Sequence, residues 1–196
     1  WASGGNLSHV KFGNAVQGTQ TATLSAGGHS HPASPGILSS SEEYNGTAWT
    51  EGNTIGTGRY DFSGMGTQTA GLIAGGATPT ESSDVEEYNG TSWTEVTNTP
   101  VAWTDYGGGG IQTAAFIAGG NVTDGDHDET AEYDGTNWTA GGDLNTARNG
   151  CRGTGTLTAG LVAGGRPPAA PGTILGSAEE YNGTSWTAGG SLFTSL

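Results

Sequence analysis

Four short apolar runs, each ending in a Gly-Gly pair, dominate the hydrophobic pattern of the chain. They read TATLSAGG, TAGLIAGG, TAAFIAGG and TAGLVAGG and end at positions 28, 76, 120 and 165. Small and large apolar residues follow one another in these runs without alternation, which is typical of a strand covered on both faces. The runs therefore predict four buried β-strands, one in each of four repeated units.

A fixed spacing surrounds each run. Four tyrosines precede a tryptophan by five residues, and each unit opens ten residues after a tryptophan. The tyrosines are Tyr44, Tyr88, Tyr133 and Tyr181, the tryptophans are Trp49, Trp93, Trp138 and Trp186, and the opening positions are Lys11, Arg59, Trp103 and Arg148. Only the interval from the second glycine to the tyrosine varies, at 16, 12, 13 and 16 residues. The constant spacing indicates a scaffold, and the variable interval indicates one loop of changing length per unit.

Each unit is expected to contain four strands, with the opening residue starting the first and the apolar run forming the second. Asn-Gly or Asp-Gly lies between the third and fourth strands in every unit, which predicts a two-residue hairpin with positive φ at both central residues. Residues 1–196 are expected to form a single repeat domain. Its approximate units are 8–51, 57–95, 103–139 and 147–190, with 1–7 belonging to the end of a preceding unit.

These motifs resemble the kelch repeat: a Gly-Gly pair ends the second strand, a tyrosine and a tryptophan follow, and a basic residue opens the unit. The resemblance implies an all-β, kelch-type β-propeller of four four-stranded blades around a central axis. The segment WASGG at the start matches WTAGG at positions 186–190, so a closed four-bladed ring would have two segments for one position. Either one end is displaced, or the units belong to a larger ring or array, or copies associate.

The sequence of the repeat, GTQTAGLIAGG followed by EEYNGTSWT, also looks like kelch-like repeats in structural proteins of marine bacteriophages. That resemblance implies a viral structural protein on a virion or at an extracellular or cell surface. The repeated tryptophans and tyrosines are expected to be structural, with the tryptophans packed between adjacent blades, because a blade cannot bury both of its faces alone.

Charge and composition narrow the choice of partners. Acidic residues outnumber basic ones by 19 to 5, for a formal net charge of -14. The negative electrostatic potential of such a chain repels phosphate groups, so nucleic acid is not expected as a partner. No apolar run is long enough to predict membrane insertion, and the single cysteine, Cys151, has no partner for an internal disulfide.

One face of the blades is the predicted binding surface for a glycan or a protein. In an up-and-down blade, the variable loops and the connections between blades share a face, and variable loops on a rigid scaffold often carry binding. Trp103 replaces the basic residue that opens the other units, and a ring there is suited to stacking on a sugar, with Tyr60 and Tyr106 nearby. Arg59 and Arg148 are the other candidate ligand-binding residues, although the corresponding residue is usually structural in kelch repeats.

Metal binding has one main candidate, and no other cofactor is expected. Asp124, Asp126 and Asp128 alternate in the sequence DGDHDE, and Ca²⁺ prefers oxygen ligands from a flexible loop. The pattern departs from an EF-hand, and the alternative is a solvated acidic turn. His29 and His31 could share a metal ion, but the sequence fixes no third ligand.

Three functions remain open at this level. The first is a non-enzymatic binding module, and the second is a structural or assembly spacer in which copies complete one another. The third is an enzyme with a site in the propeller centre. An enzyme is not expected, because the sequence contains no recognisable pairing of a nucleophile with a base and no phosphate-binding loop.

Overall fold

The computed structural model describes residues 4–30, 36–122, 125–126, 128–168 and 172–192, with only the backbone of residues 122, 125 and 126. In these residues the regular secondary structure is all β, and no helix is long and apolar enough to cross a membrane. In chain order the strands are β1 (Lys11–Phe12), β2 (Ala15–Thr19), β3 (Ala22–Ala26), β4 (His29–Ser30), β5 (Gly36–Ile37), β6 (Ser41–Tyr44), β7 (Trp49–Glu51), β8 (Gly64–Gly66), β9 (Gly71–Ala74), β10 (Val85–Tyr88), β11 (Trp93–Val96), β12 (Gly107–Ile111), β13 (Ala114–Ala118), β14 (Asn121–Val122), β15 (Gly125–Asp126), β16 (Thr130–Tyr133), β17 (Trp138–Ala140), β18 (Arg152–Thr156), β19 (Ala159–Ala163), β20 (Ser177–Tyr181) and β21 (Trp186–Ser191).

Four antiparallel sheets of four strands each make up the body of the protein. Their strand orders are β2-β3-β6-β7, β8-β9-β10-β11, β12-β13-β16-β17 and β18-β19-β20-β21, here called blades 1 to 4. The first strands of all four blades line one central space. Two smaller sheets, β1-β4-β5 and β14-β15, lie outside the blades. Repeated four-stranded sheets around a common centre fit a β-propeller-like fold.

The residues that open each unit precede the innermost strands instead of starting them, contrary to the sequence prediction. The innermost strands begin four or five residues later, and the intervening entry segments carry bridges of their own. In each unit, the residue after the opening position pairs with the residue after the Gly-Gly pair. The pairs are Phe12 with His29, Tyr60 with Ala77, Thr104 with Asn121 and Asn149 with Arg166. Each variable loop therefore starts beside an entry segment, on one face of the molecule.

The turn between the third and fourth strands has four residues, so the predicted two-residue hairpin is wrong. In blade 1, Asn45 Oδ1 accepts the backbone N–H groups of Thr47 and Ala48, both at 3.0 Å. Positive φ is confined to the glycine of the turn, at 90° in Gly46. The asparagine side chain supplies the turn's acceptor, so its own backbone does not need the left-handed region. The same glycine conformation recurs at Gly90, Gly135 and Gly183.

The second strand of each blade forms the centre of the core. Leu24, Leu72 and Phe116 occupy equivalent positions and are fully buried, whereas the equivalent Leu161 in blade 4 is half-buried. Complete burial of such a side chain stabilises the fold by about 1.5–3 kcal/mol. Blade 4 therefore has less of its central strand covered than the other three blades.

Close approach of the innermost strands depends on glycine where blades 3 and 4 meet. A Cβ added at Gly153 in β18 would lie 2.6 Å from the backbone nitrogen of Gly108 in β12. No side chain fits in that space, so the glycine-rich first strand is a packing requirement of the fold.

Tyrosines join each blade to the blade before it. Tyr133 Oη donates to Glu87 Oε1 of blade 2 at 2.9 Å, and Tyr181 Oη donates in the same way to Glu132 of blade 3. Tyr88 makes the corresponding bond to Glu43 of blade 1. Burial, with the carboxylate hydrogen bond as a second cause, raises the pKa of Tyr181 to about 12. These hydroxyls therefore stay protonated donors at neutral pH.

Glutamines and tryptophans reinforce the same junctions. Gln112 Nε2 donates to the carbonyl oxygens of Gly71 at 3.1 Å and Tyr88 at 3.0 Å, so a blade 3 side chain crosses to blade 2. Trp186 stacks on Tyr181 of its own hairpin with ring centroids 4.7 Å apart, and it also contacts Phe116 of blade 3 at 5.7 Å. The junction of blades 2 and 3 is thus reinforced by polar bonds, and the junction of blades 3 and 4 by aromatic packing.

Candidate binding site at the blade axis

Four residues with positive φ lie in equivalent positions where the entry segments reach the axis. They are Gly13, Asp61, Asp105 and Gly150, with φ of 63°, 55°, 55° and 62°. Backbone hydrogen bonds link them in sequence: Asp61 N–H donates to Gly13 O at 2.7 Å, Asp105 N–H to Asp61 O at 3.1 Å, and Gly150 N–H to Asp105 O at 2.8 Å. The four entry segments therefore lie side by side around the axis.

Aspartate stands at two of these four left-handed positions. Glycine adopts this backbone conformation freely, whereas a residue with a Cβ does so at a cost. Asp61 and Asp105 are the only non-glycine residues with positive φ in the described part of the chain. Unfavourable backbone conformations of this kind concentrate at functional sites, which marks this end of the axis as a candidate site.

A polar pocket of about 220 Å³ opens beside Asp61. Its polar side chains are Asn14, Asp61, Ser63 and Arg152, and backbone from all four blades completes its wall. The Asp61 carboxylate lies over Gly13, where an added Cβ would come to 2.5 Å from its Oδ1. We call this space the axial pocket.

The charges around the axial pocket are only partly balanced. Partial burial raises the pKa of Asp61 above its usual value, and repulsion from Asp105 adds to the rise. Arg152 and His29 act in the opposite direction. The Asp61 carboxylate is therefore less well stabilised than a solvated one, which favours a ligand that donates hydrogen bonds to it.

An aromatic surface adjoins the pocket on the variable-loop face. The rings of Phe12 and His29 have centroids 5.3 Å apart, and those of His29 and Tyr60 are 5.4 Å apart in an edge-to-face arrangement. Phe12 is 50% exposed. We call these three residues, which come from the first and second repeat units, the aromatic wall.

The predicted ligand-binding residues separate into two groups. Tyr60 belongs to the aromatic wall, whereas Trp103 is 2% exposed and Tyr106 is 1% exposed. The Tyr106 hydroxyl donates to the carbonyl oxygen of Ala74 and accepts from Ser63 N–H at 3.3 Å, and burial raises its pKa. This burial favours structural roles for Trp103 and Tyr106, and their contact with a ligand stays a prediction.

Arg59 and Arg148 are completely buried in ion pairs. Arg59 Nη2 lies 2.9 Å from Glu86 Oε1, and Arg148 Nη2 lies 2.8 Å from Glu179 Oε1. In blade 1, Lys11 Nζ takes the same place, 3.1 Å from the equivalent glutamate, Glu42. These contacts favour a structural role for the basic positions, and ligand contact by either arginine stays a prediction.

Each of these carboxylates also accepts a backbone N–H from the residue three positions before the opening residue. The donors are Ser8 to Glu42 at 2.6 Å, Gly56 to Glu86 at 2.8 Å and Asn145 to Glu179 at 2.7 Å. Burial of Glu42 opposes its ionisation, but the Ser8 hydrogen bond and the Lys11 ammonium outweigh it and lower its pKa. The carboxylate thus holds the chain that leads into the opening residue against the blade.

Blade 3 replaces this polar arrangement as a whole. Trp103 stands in place of the cation and Ala131 in place of the glutamate, and both belong to one cluster of packed apolar residues. Pro100, which has no N–H, stands where the other blades have the backbone donor. The departure at Trp103 is therefore matched by two further changes in the same blade.

The predicted metal ligands are only partly within the described residues. Asp124 and His31 lie outside them, and the side chain of Asp126 is also outside them. Asp128 is exposed, and its carbonyl oxygen accepts Leu144 N–H at 2.7 Å. In the described part of the chain, no three His, Cys, Asp or Glu side chains form a group suited to a metal ion. Calcium binding stays a prediction.

Sequence reasoning missed Asp61, Asp105 and Arg152. A usable signal exists for the two aspartates: the position two residues after each opening residue is Gly, Asp, Asp and Gly in the four units. A repeat position that is occupied only by Gly or Asp indicates a left-handed backbone conformation. No comparable signal marks Arg152, because its place in the pocket with Asp61 depends on how the four blades are arranged around the axis.

No family model matches the chain, and no curated protein matches it either. The architecture nevertheless has clear counterparts among solved structures of β-propeller-like fold. One of them is the structure of YjhT, with a TM-score of 0.75 and 11% sequence identity. The match covers 91% of this chain and 68% of the YjhT chain. At this level of identity the similarity shows the fold alone.

Proposed function

We propose that this chain is a non-catalytic binding module built of kelch-type propeller repeats, and that it recognises a carbohydrate at the axial pocket and the aromatic wall. The observation that carries the proposal is the position of Asp61 and Arg152 in one pocket, with the exposed ring of Phe12 and the half-buried ring of Tyr60 beside it. Location on a virion or at a cell surface is part of the proposal, and it rests on the resemblance of the repeat sequence to repeats in phage structural proteins.

The chemistry of the pocket suits a sugar. Asp61 accepts hydrogen bonds, Arg152 donates them, and the Asn14 amide does both, which matches hydroxyl groups that act as donor and acceptor. The wall residues Phe12 and Tyr60 offer apolar ring surface for the carbon face of a pyranose. Sites of this kind combine ring surface with a few polar groups that fix orientation.

The surrounding loops suit recognition as well. The variable loops start at the residues paired with the entry segments, so their first residues lie on the same face as the axial pocket. Their lengths vary while the blades keep a constant spacing, which allows specificity to change without altering the scaffold. A protein ligand at the same face is the second candidate, and the experiment below separates the two.

The test is a broad glycan array followed by calorimetry with the best sugar. Tyr60→Ala and Asp61→Asn are each expected to weaken binding about tenfold, or about 1.4 kcal/mol, since each removes one element of the site. Ile111→Ala, an exposed apolar residue at the far end of β12, is the matched control and should bind normally.

Two results would contradict the proposal. A folded protein that binds nothing on the array would exclude carbohydrate and leave the protein ligand. Equal loss of binding in the Tyr60, Asp61 and Ile111 variants would place the sugar somewhere other than the axial pocket.

A further inference from the structure

The three junctions between blades use one repeated set of groups. At each junction the later blade donates a tyrosine hydroxyl to a glutamate of the earlier blade. At the first two junctions a glutamine also donates to two backbone carbonyl oxygens of the earlier blade, as Gln68 does to Thr23 and Tyr44. Every blade thus has an acceptor face toward the next blade and a donor face toward the previous one.

No described residue covers the acceptor face of blade 4. Glu180, which corresponds to the glutamates bonded by tyrosine in the other blades, is exposed. Leu161 is half-buried where its counterparts are fully buried. A groove of about 400 Å³ runs between these residues and includes Gly160 and Tyr181, whose counterparts Gly71 and Tyr88 accept a glutamine side chain in blade 2.

Among the described residues, the donor face of blade 1 is only partly covered. Gln20, the counterpart of Gln68 and Gln112, is exposed. Tyr44 is half-buried, while its counterparts Tyr88, Tyr133 and Tyr181 are buried. Within the described residues, no carboxylate accepts a hydrogen bond from Tyr44.

We propose that the acceptor face of blade 4 binds the donor face of blade 1 in a second copy of this chain. Tyr44 would donate to Glu180, and Gln20 would donate to the carbonyl oxygens of Gly160 and Tyr181, as at the internal junctions. The two faces differ, so the contact is head-to-tail and produces a closed ring or a filament. This inference does not depend on the carbohydrate proposal.

One segment competes with this contact. Gly4 lies on blade 1 as Gly141 lies on blade 4: an added Cβ at either would come to 2.7 Å from the hydroxyl oxygen of Tyr44 or Tyr181. In the head-to-tail complex, residues 189–190 of the second copy need the place that Gly4 holds. The competition weakens association, so the complex is expected to form at micromolar or higher concentration.

The first test is sedimentation velocity of the full 196-residue chain from roughly micromolar to roughly millimolar concentration. The mass is expected to rise from one chain to multiples of it. A folded protein that stays a monomer throughout would overturn the proposal.

Variants then identify the two faces. Leu161→Asp places a charge in the groove of the acceptor face, and Gln20→Glu turns the donor of the donor face into an acceptor. Each is expected to weaken association at least about tenfold. Ile111→Asp adds the same charge at an exposed site away from both faces and should associate normally. Near-ultraviolet circular dichroism checks folding, and Glu180→Lys, which removes the acceptor of the Tyr44 hydroxyl, replaces Leu161→Asp if that variant misfolds.

Mixing the variants tests the head-to-tail geometry. The Leu161→Asp protein keeps an intact donor face and the Gln20→Glu protein keeps an intact acceptor face, so an equal mixture should associate although neither does alone. Continued association of Gln20→Glu by itself, or failure of the mixture to associate, would overturn the head-to-tail contact.

Discussion

At the scale of single residues, two solutions to one packing problem occur in the same chain. Blades 1, 2 and 4 bury a cation beside a glutamate, whereas blade 3 fills the space with Trp103 and Ala131. Desolvation offsets much of the attraction in a buried ion pair, so a well-packed apolar replacement is often neutral. Removing only one partner is different, because it leaves a buried charge without compensation.

This reasoning predicts strong coupling between Arg148 and Glu179. Glu179→Ala alone is expected to lower the free energy of unfolding by about 3–5 kcal/mol, because the guanidinium stays buried. The double variant Arg148→Trp with Glu179→Ala copies blade 3 and should be more stable than Glu179→Ala alone. Urea denaturation at low protein concentration, where the chain is a monomer, measures both, with the exposed neighbour Glu180→Ala as control. A double variant less stable than Glu179→Ala would contradict the idea that an apolar pair can replace the buried ion pair.

At the same scale, what the sequence could predict depended on whether a residue acts within its own repeat. The tyrosine and tryptophan positions were readable, since their spacing is constant. The turn type was not, because Asn45 uses its side chain as an acceptor and this does not show in the Asn-Gly pattern. The axial pocket was not readable either, because Asn14 and Arg152 come together only when the blades meet.

At the scale of strands and blades, the apolar runs predicted the second strands because burial on both faces leaves a continuous hydrophobic segment. The polar bonds between blades were harder to foresee. Gln112 occupies a position that is also glutamine in blades 1 and 2 but leucine in blade 4, where Leu157 packs against the apolar cluster instead. Only the structure shows that this position crosses to the preceding blade.

The crossing glutamine gives a prediction with an internal control. Gln112→Ala is expected to lower the free energy of unfolding by about 1–3 kcal/mol, because it removes two hydrogen bonds to partly buried carbonyl groups. Gln20→Ala changes the equivalent residue in blade 1, which is exposed, and should stay within about 0.5 kcal/mol of the parent. Urea denaturation at low protein concentration makes the comparison. Equal effects at the two positions would show that the bonds between blades contribute nothing measurable.

At the scale of the whole molecule, stability should depend on how many neighbours a blade has. In a stacked array each unit is stabilised mainly by contact with adjacent units. Blades 2 and 3 have a neighbour on both sides, whereas blade 4 leaves its acceptor face open. The second strands reflect this: every residue of β9 is buried, while β19 alternates between buried and partly exposed positions.

Hydrogen exchange read strand by strand tests this dependence. At low protein concentration, the amides of β9 and β13 are expected to exchange more slowly than those of β19, because local opening costs less where one side of a blade lacks a partner. Raising the concentration should slow exchange in β19 if a second copy covers the acceptor face, and the Leu161→Asp variant should remove that change. Equal protection in all four blades at low concentration would mean that the chain unfolds as one cooperative unit, in which the open face carries no local penalty.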